Sequence, residues 1–250
     1  MIMKWRWAAA SKIGTSHLVS GTRLQDAYTV SKLTTGELLT IVCDGAGSSK
    51  FGAEGAWLTC RHLKTNFREW FAIHQTIPSE DVVLDWIDVL RDKISLAANN
   101  RRSKPREFAA TLTLVFVTAD TTLLLQVGDS CAAARKEGKW EPLCWPENGE
   151  YASTTYFITD NPTVRLNYLT FPSGFDAYAL FTDGVGDLCL DEATQSAYPR
   201  FFEPMIRPVD ESQPSACLAE LSKKLKLYLS SDPINEKTDD DKTLILISGI

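Results

Sequence analysis

Leu38-Leu39-Thr40-Ile41-Val42-Cys43-Asp44-Gly45-Ala46-Gly47 is an apolar, partly β-branched run that stops at an aspartate and a glycine. Such a run reads as a strand. Asp-Gly after a strand is ordinarily a hairpin turn, and a two-residue hairpin passes at once into a second strand. Here a loop of small residues follows instead. From Ala53 to Phe71 the apolar residues Ala53, Ala56, Trp57, Cys60, Leu63, Phe67, Trp70 and Phe71 then recur at three-and-four spacing. That is the pattern of an amphipathic helix, so the strand ends in a loop that holds an acid.

Outward from this stretch, further short runs predict strands at Trp5–Ala9, Ala27–Leu33, Ala110–Thr118, Thr122–Val127, Val164–Phe171, Ala177–Thr182 and Thr243–Ser248. A second helix is expected over Asp81–Ala98, with Pro78 and Ser79 as its start signal, and a third over Ser215–Leu229. The order is strands, two helices, more strands, a helical stretch and a last strand. A doubly wound parallel sheet would alternate strictly, so antiparallel sheets with helices packed outside fit better. No repeat or low-complexity linker divides the 250 residues, and one domain over 1–250 is expected.

Acids recur where strands end. Ala-Tyr-Ala-Leu-Phe-Thr runs into Asp183-Gly184-Val185-Gly186-Asp187, with a helical pattern after it. Leu-Leu-Leu-Gln-Val-Gly runs into Asp129-Ser130, and the last strand is preceded by Asp239-Asp240-Asp241-Lys242-Thr243. If those ends converge, they make a carboxylate cluster over an apolar core. Neighbouring carboxylates raise one another's pKa and need cations to stay ionised. Hard oxygen ligands favour Mg²⁺ or Mn²⁺, whereas zinc prefers His and Cys. Two such ions about 3.5–4 Å apart can acidify a bridging water and aim it at a phosphoryl group. The glycine after Asp44 is expected to let the backbone turn sharply and to offer its carbonyl as a further ligand.

The net charge of -6 argues against general nucleic-acid binding, which needs a basic face. Cys43, Cys60, Cys131, Cys144, Cys189 and Cys217 are scattered without C-x-x-C or zinc spacing, which suits a reducing cytoplasm. No apolar stretch approaches the roughly 18 residues of a membrane span, and the start lacks a signal-peptide core, so no membrane association is expected. The chain has neither a G-x-x-x-x-G-K-[S/T] loop nor a G-x-S-x-G elbow, which disfavours P-loop and α/β-hydrolase chemistry.

The ordered set Gly14-Thr15-Ser16-His17, Gln25-Asp26-Ala27, Asp44-Gly45-Ala46-Gly47-Ser48, Ala110-Thr111, Gly128-Asp129-Ser130, Thr182-Asp183-Gly184-Val185-x-Asp187 and Asp240-Asp241-Lys242-Thr243 resembles the protein phosphatase 2C (metal-dependent, PPM) family, in its bacterial branch, nearly end to end. The resemblance implies an α+β fold, a four-layer α-β-β-α sandwich of two stacked antiparallel sheets flanked by helices. It implies hydrolysis of phosphoserine and phosphothreonine with two core Mn²⁺ or Mg²⁺ ions. Asp44 would bridge them, the Gly45 carbonyl would bind one, and Asp183 and Asp240 would complete the pair, making Asp44, Asp183 and Asp240 the catalytic set. Asp26 would hold a metal-bound water, and Asp129 and Asp187 match a weaker third site. The implied mechanism is direct attack by the bridging hydroxide. The implied substrates are phosphoproteins, those of a bacterial Ser/Thr kinase.

The sequence departs from the family in three places. Ala46 stands where many members carry a histidine, so another group must protonate the leaving oxygen. Gln25 replaces an acid before Asp26. No arginine sits at the usual spacing for the phosphate clamp, leaving His17 and Arg23 as the candidates. Two other readings stay open: a weakly active or inactive regulator that binds a partner, and a small-molecule phosphatase. Loss of metal aspartates would favour the regulator, and all three are present. Arg101, Arg102, Lys104 and Arg106 form a basic cluster that reads as a solvated face or as a dock for acidic or phosphorylated substrate regions. His62, His74 and the seven tryptophans read as structural.

Overall fold

The computed structural model describes residues 4–149, 155–213 and 216–249. Its strands are β1 (Trp5–Lys12), β2 (Ala27–Lys32), β3 (Leu38–Cys43), β4 (Leu112–Val117), β5 (Thr121–Val127), β6 (Cys131–Lys136), β7 (Lys139–Pro142), β8 (Asn167–Pro172), β9 (Ala177–Phe181), the short β10 (Leu190–Asp191) and β11 (Ser196–Ala197), and β12 (Lys242–Gly249). The helices are α1 (Thr15–Ser20), α2 (Gly52–His74), α3 (Glu80–Asn100), α4 (Gly186–Cys189), α5 (Pro199–Asp210), α6 (Ala219–Leu229) and α7 (Asp232–Asn235). One sheet has the order β1-β12-β9-β6-β7 and the other β2-β3-β4-β5-β8, and every pairing within them is antiparallel.

The sheets stack face to face with helices outside, as expected. β3 shows why its run is continuously apolar. Alternate residues of a strand face opposite sides, and here both sides are covered. Leu38 and Val42 join the core shared with the other sheet and α5–α6, whereas Leu39, Ile41 and Cys43 pack under α2 and α3. Thr122 on β5 reaches across the sandwich to the Tyr178 hydroxyl of β9 at 2.7 Å, a buried polar pair that joins the two sheets. Ser79 caps α3 as expected, its side chain accepting from the Val82 N–H.

Several elements differ from the sequence reading. Cys131-Ala132-Ala133-Ala134-Arg135-Lys136 is a strand although alanine has little strand preference. It lies between β9 and β7 in a fully covered sheet, where small side chains fit beneath the helix layer. α5 carries Pro204 and Pro208 inside it, which read as breakers. Burial of Phe201, Phe202, Ile206 and Val209 on one face outweighs that cost. α6 begins at Ala219, and Ser215, where the third helix was expected to start, lies outside the described residues.

Topology brings the acid-bearing ends together. β3 and β5 both run antiparallel to β4, so Asp44 and Asp129 emerge at the same edge. β12 runs antiparallel to β9 with Leu244 opposite Phe181, which sets Asp240 and Asp241 beside Asp183.

Candidate metal centre

At that edge a cavity of about 680 Å³ opens, lined by Asp44, Asp129, Asp160, Asp183, Asp187, Glu192 and Asp240 among other residues. Among the described residues, no Lys, Arg or His lines it. Asp44, Asp129 and Asp183 each offer a carboxylate oxygen within 4.8 Å of the others. Asp26 lies buried behind them, its Oδ2 accepting from Thr243 Oγ1 at 2.6 Å and from Thr182 Oγ1 at 3.0 Å.

The glycines after the aspartates serve close packing. Gly45 does not have positive φ, so the sharp-turn expectation is corrected: a Cβ there would collide with the Gly52 backbone at the start of α2. Gly45 pairs with Ala110 in an antiparallel bridge whose bonds run from Thr111 N to Asp44 O (2.8 Å) and from Ala46 N to Ala109 O (3.0 Å). In that geometry the Gly45 carbonyl lies outside the bridge and stays available as a ligand. A Cβ on Gly184 would likewise collide with the Asp241 carbonyl, so only glycine lets the Asp183 turn press against the start of β12.

The electrostatics are those of an uncompensated cluster. Burial, with Asp26, Asp183, Asp240 and Asp129 nearby, pushes the Asp44 carboxyl well above its ordinary range. Asp183 opens onto the cavity at its mouth yet is hemmed in by neighbouring carboxylates. Burial, then Asp129 and Asp240, raise it to about 7. Asp26 is raised to about 7, chiefly by burial, against the two threonine hydroxyls that favour its charged form. Burial raises Asp129 as well. The Oδ1 atoms of Asp26 and Asp129 are buried without a hydrogen-bond partner. All-oxygen donors, orphaned carboxylate atoms and mutual repulsion are what hard divalent cations relieve, so the residues fit Mn²⁺ or Mg²⁺.

Of the residues expected from sequence, Asp44, Asp129, Asp183, Asp187 and Asp240 line the cavity, and Asp26 and Gly45 adjoin it. His17 and Arg23 are not among the lining residues. His17 is only 8% exposed and its Nδ1 lies 3.0 Å from Asp241 Oδ1, out of line for a directed hydrogen bond. Arg23 is exposed and lines a neighbouring cavity with Gly47, Ser48 and Lys50.

Sequence reasoning passed over Asp241 as a separate element. It accepts from the backbone N–H groups of Gly14 (2.7 Å) and Gln25 (2.6 Å), tying two loops to the start of β12. The threonine layer of Thr111, Thr182 and Thr243 was also missed as a set. Thr111 Oγ1 accepts from the Asp44 N–H at 3.0 Å, and the other two hold Asp26. The signal was in the motifs themselves, which carry Thr182 next to Asp183, Thr243 after the Asp239–Asp241 run and Thr111 after Ala110. Trp145 and Phe157 line the cavity and Trp57 is 50% exposed, which corrects the reading of all tryptophans as core.

A family profile described as protein phosphatase 2C matches residues 13–230. Serine/threonine-protein phosphatase 3 of Escherichia coli (strain K12) is 32% identical over 250 residues, covering 98% of each chain. Among solved structures, a bacterial serine phosphatase superposes with TM-score 0.69 at 16% identity, covering 97% of this chain and 96% of that one. The catalytic domain of the serine threonine protein phosphatase PstP, in complex with 2 manganese ions, gives TM-score 0.63 at 16% identity and covers 99% of both. At such identity the two structures speak for the fold alone. The matched profile and the near full-length relative settle the kinship: the chain belongs to the protein phosphatase 2C family, in its bacterial PPM-type form.

Proposed function

We propose that this chain is a metal-dependent protein phosphatase that hydrolyses phosphoserine and phosphothreonine through ions held by Asp44, the Gly45 carbonyl, Asp183 and Asp240. The observation that carries the reading is the convergence of Asp44, Asp129 and Asp183 oxygens within 4.8 Å in a cavity that no cationic side chain among the described residues lines. Divalent ions bound there would acidify a water for in-line attack and neutralise the phosphoryl oxygens. Asp129 and Asp187 are assigned to a third, weaker ion. The manganese of the PstP structure supports Mn²⁺ as the first ion to try, with Mg²⁺ the alternative.

The chain's own groups do the rest. Thr182 and Thr243 hold Asp26 Oδ2, which leaves the buried, unpartnered Oδ1 as an acceptor for an ordered water. The Asp44 N–H bond to Thr111, itself 3.0 Å from Ser130 Oγ, fixes the Asp44 loop against the strand that carries Asp129. Since no histidine among the described residues lines the cavity, the leaving seryl or threonyl oxygen takes its proton from a carboxyl of the wall or from solvent.

The same proposal takes residues 1–250 as one catalytic domain, phosphoproteins of a bacterial Ser/Thr kinase as substrates, and the cytoplasm as the location. The six free cysteines, five of them buried, support the last. Among the described residues no helix is long and apolar enough to cross a membrane.

Phosphate release from a phosphothreonine peptide, measured with Mn²⁺, with EDTA and with Asp44→Asn, tests this. Release that needs Mn²⁺ and drops about 10³-fold or more in the variant is expected, as for loss of several kcal/mol of charge stabilisation. Equal release in EDTA would overturn the metal mechanism. Release from small phosphate esters but from no phosphopeptide would favour a small-molecule phosphatase.

A further inference from the structure

We propose that the cavity next to the metal centre is a second anion subsite, which binds an acidic or phosphorylated side chain flanking the scissile residue of a substrate peptide. The proposal rests on the phosphatase reading above. The second cavity, of about 500 Å³, is lined by Arg23, Gln25, Lys50 and Glu107, and it shares Gly47 and Ser48 with the acidic cavity. A chain crossing that shared edge passes directly from one to the other.

The charges differ in sign across the edge. Among the described residues, the metal cavity is lined by carboxylates and by no cation. Next door Arg23 and Lys50 face a single carboxylate, and neither forms an ion pair among the described residues. Glu107 is already engaged: Oε2 accepts the Lys50 backbone N–H at 3.2 Å, and Oε1 lies 3.8 Å from Arg106 Nε. Ser49 Oγ donates to the Arg106 carbonyl at 3.1 Å, which anchors the basic stretch beside the cavity. Arg101 is not free to join, being paired with Glu54 and stacked on Phe51 and Phe108.

Gln25 completes the site. Its side chain is 3% exposed and Nε2 donates to the Ser49 carbonyl at 2.9 Å, but Oε1 is buried with no partner. A buried orphan acceptor invites a donor, and a peptide N–H is one. An acid at position 25 would offset Arg23 and Lys50, whereas glutamine leaves the cavity with net positive charge. An anionic side chain with its own backbone N–H therefore matches both features.

The test is a panel of phosphothreonine peptides carrying glutamate, a non-hydrolysable phosphonate or alanine at each flanking position, assayed with Mn²⁺ at low and high salt. The wild type is expected to prefer an anion on one flank by about three- to tenfold in kcat/KM, less so at high salt. Stronger enhancement by phosphonate than by glutamate would assign the site to a second phosphoryl group, and equal enhancement to any anion. Lys50→Gln should erase the preference and Lys50→Glu invert it. Lys50 is exposed, so both variants are expected to fold. Peptides hydrolysed with no flank preference, or an anion preference unchanged in Lys50→Glu, would overturn the subsite alone. No Mn²⁺-dependent release from any peptide would overturn the phosphatase reading and the subsite with it.

Discussion

The layer beneath the acidic cavity, here its floor, and the cavity's mouth hold aspartates of opposite character. On the floor, Asp241 is buried and receives two backbone N–H bonds besides its contact with His17. At the mouth, Asp44, Asp129, Asp183 and Asp240 crowd one another, and burial and repulsion drive the first three toward protonation. Asp26 lies between, with one oxygen satisfied by two threonines and the other orphaned. A carboxylate given donors by its own chain holds structure, and one denied them is kept for a ligand. The same residue type thus stabilises the fold at one depth and strains it a few ångströms away.

The largest effect that separates the tiers is on rate. Asp26→Asn keeps an oxygen for Thr182 and Thr243 but removes the charge behind the cluster, and should cost about 10- to 100-fold in Mn²⁺-supported kcat/KM with little change in thermal stability. An equal loss of melting temperature would make Asp26 a floor residue after all. Next comes Asp241→Asn. One amide oxygen cannot serve both Gly14 and Gln25, so a buried N–H is orphaned at about 1–3 kcal/mol. At about 2–4 °C per kcal/mol for a chain of this size, calorimetry should show the loss both with and without metal.

A smaller effect is the pH dependence of the metal-free protein. Asp26 and Asp183 titrate at about 7 when folded, above the ordinary 3.8, so between those values the folded chain binds more protons than the unfolded one. Their contribution to stability is present in full below about pH 4 and is lost as pH rises through 7. In EDTA the melting temperature should therefore fall from pH 5.5 to 8, and saturating Mn²⁺ should flatten or reverse the slope. A rise with pH in EDTA would contradict the mouth's strain.

Much of this was legible in the sequence for a physical reason. β3, β4, β5 and β12 are buried on both faces and so read as unbroken apolar runs, and the glycines beside Asp44, Asp129 and Asp183 mark close backbone packing. The elements that were missed are those whose stability is tertiary: alanine-rich β6, proline-bearing α5, and α1, a single short turn of helix around buried His17. The mouth aspartates were found because each ends a strand. Asp241 was not separated from its neighbours because three consecutive aspartates look alike until burial and its two backbone N–H partners single it out. Arg23 was expected near the phosphate by proximity in sequence, and only the loop path of 21–25, tied down through Gln25 to Asp241, sends it to the neighbouring cavity.

Thermal unfolding of wild type and Asp44→Asn at pH 8, each in EDTA and in Mn²⁺, tests most directly whether the mouth is built for cations. The account predicts a crossing. In EDTA the variant, relieved of one mutually repelled carboxylate, melts a few degrees above wild type, about 2–4 °C for each kcal/mol recovered. In Mn²⁺ at about 100 times its Kd the wild type gains about 2.7 kcal/mol and overtakes it, while the variant gains little. A variant less stable than wild type in both conditions would show Asp44 to be an ordinary structural residue and would contradict the metal centre.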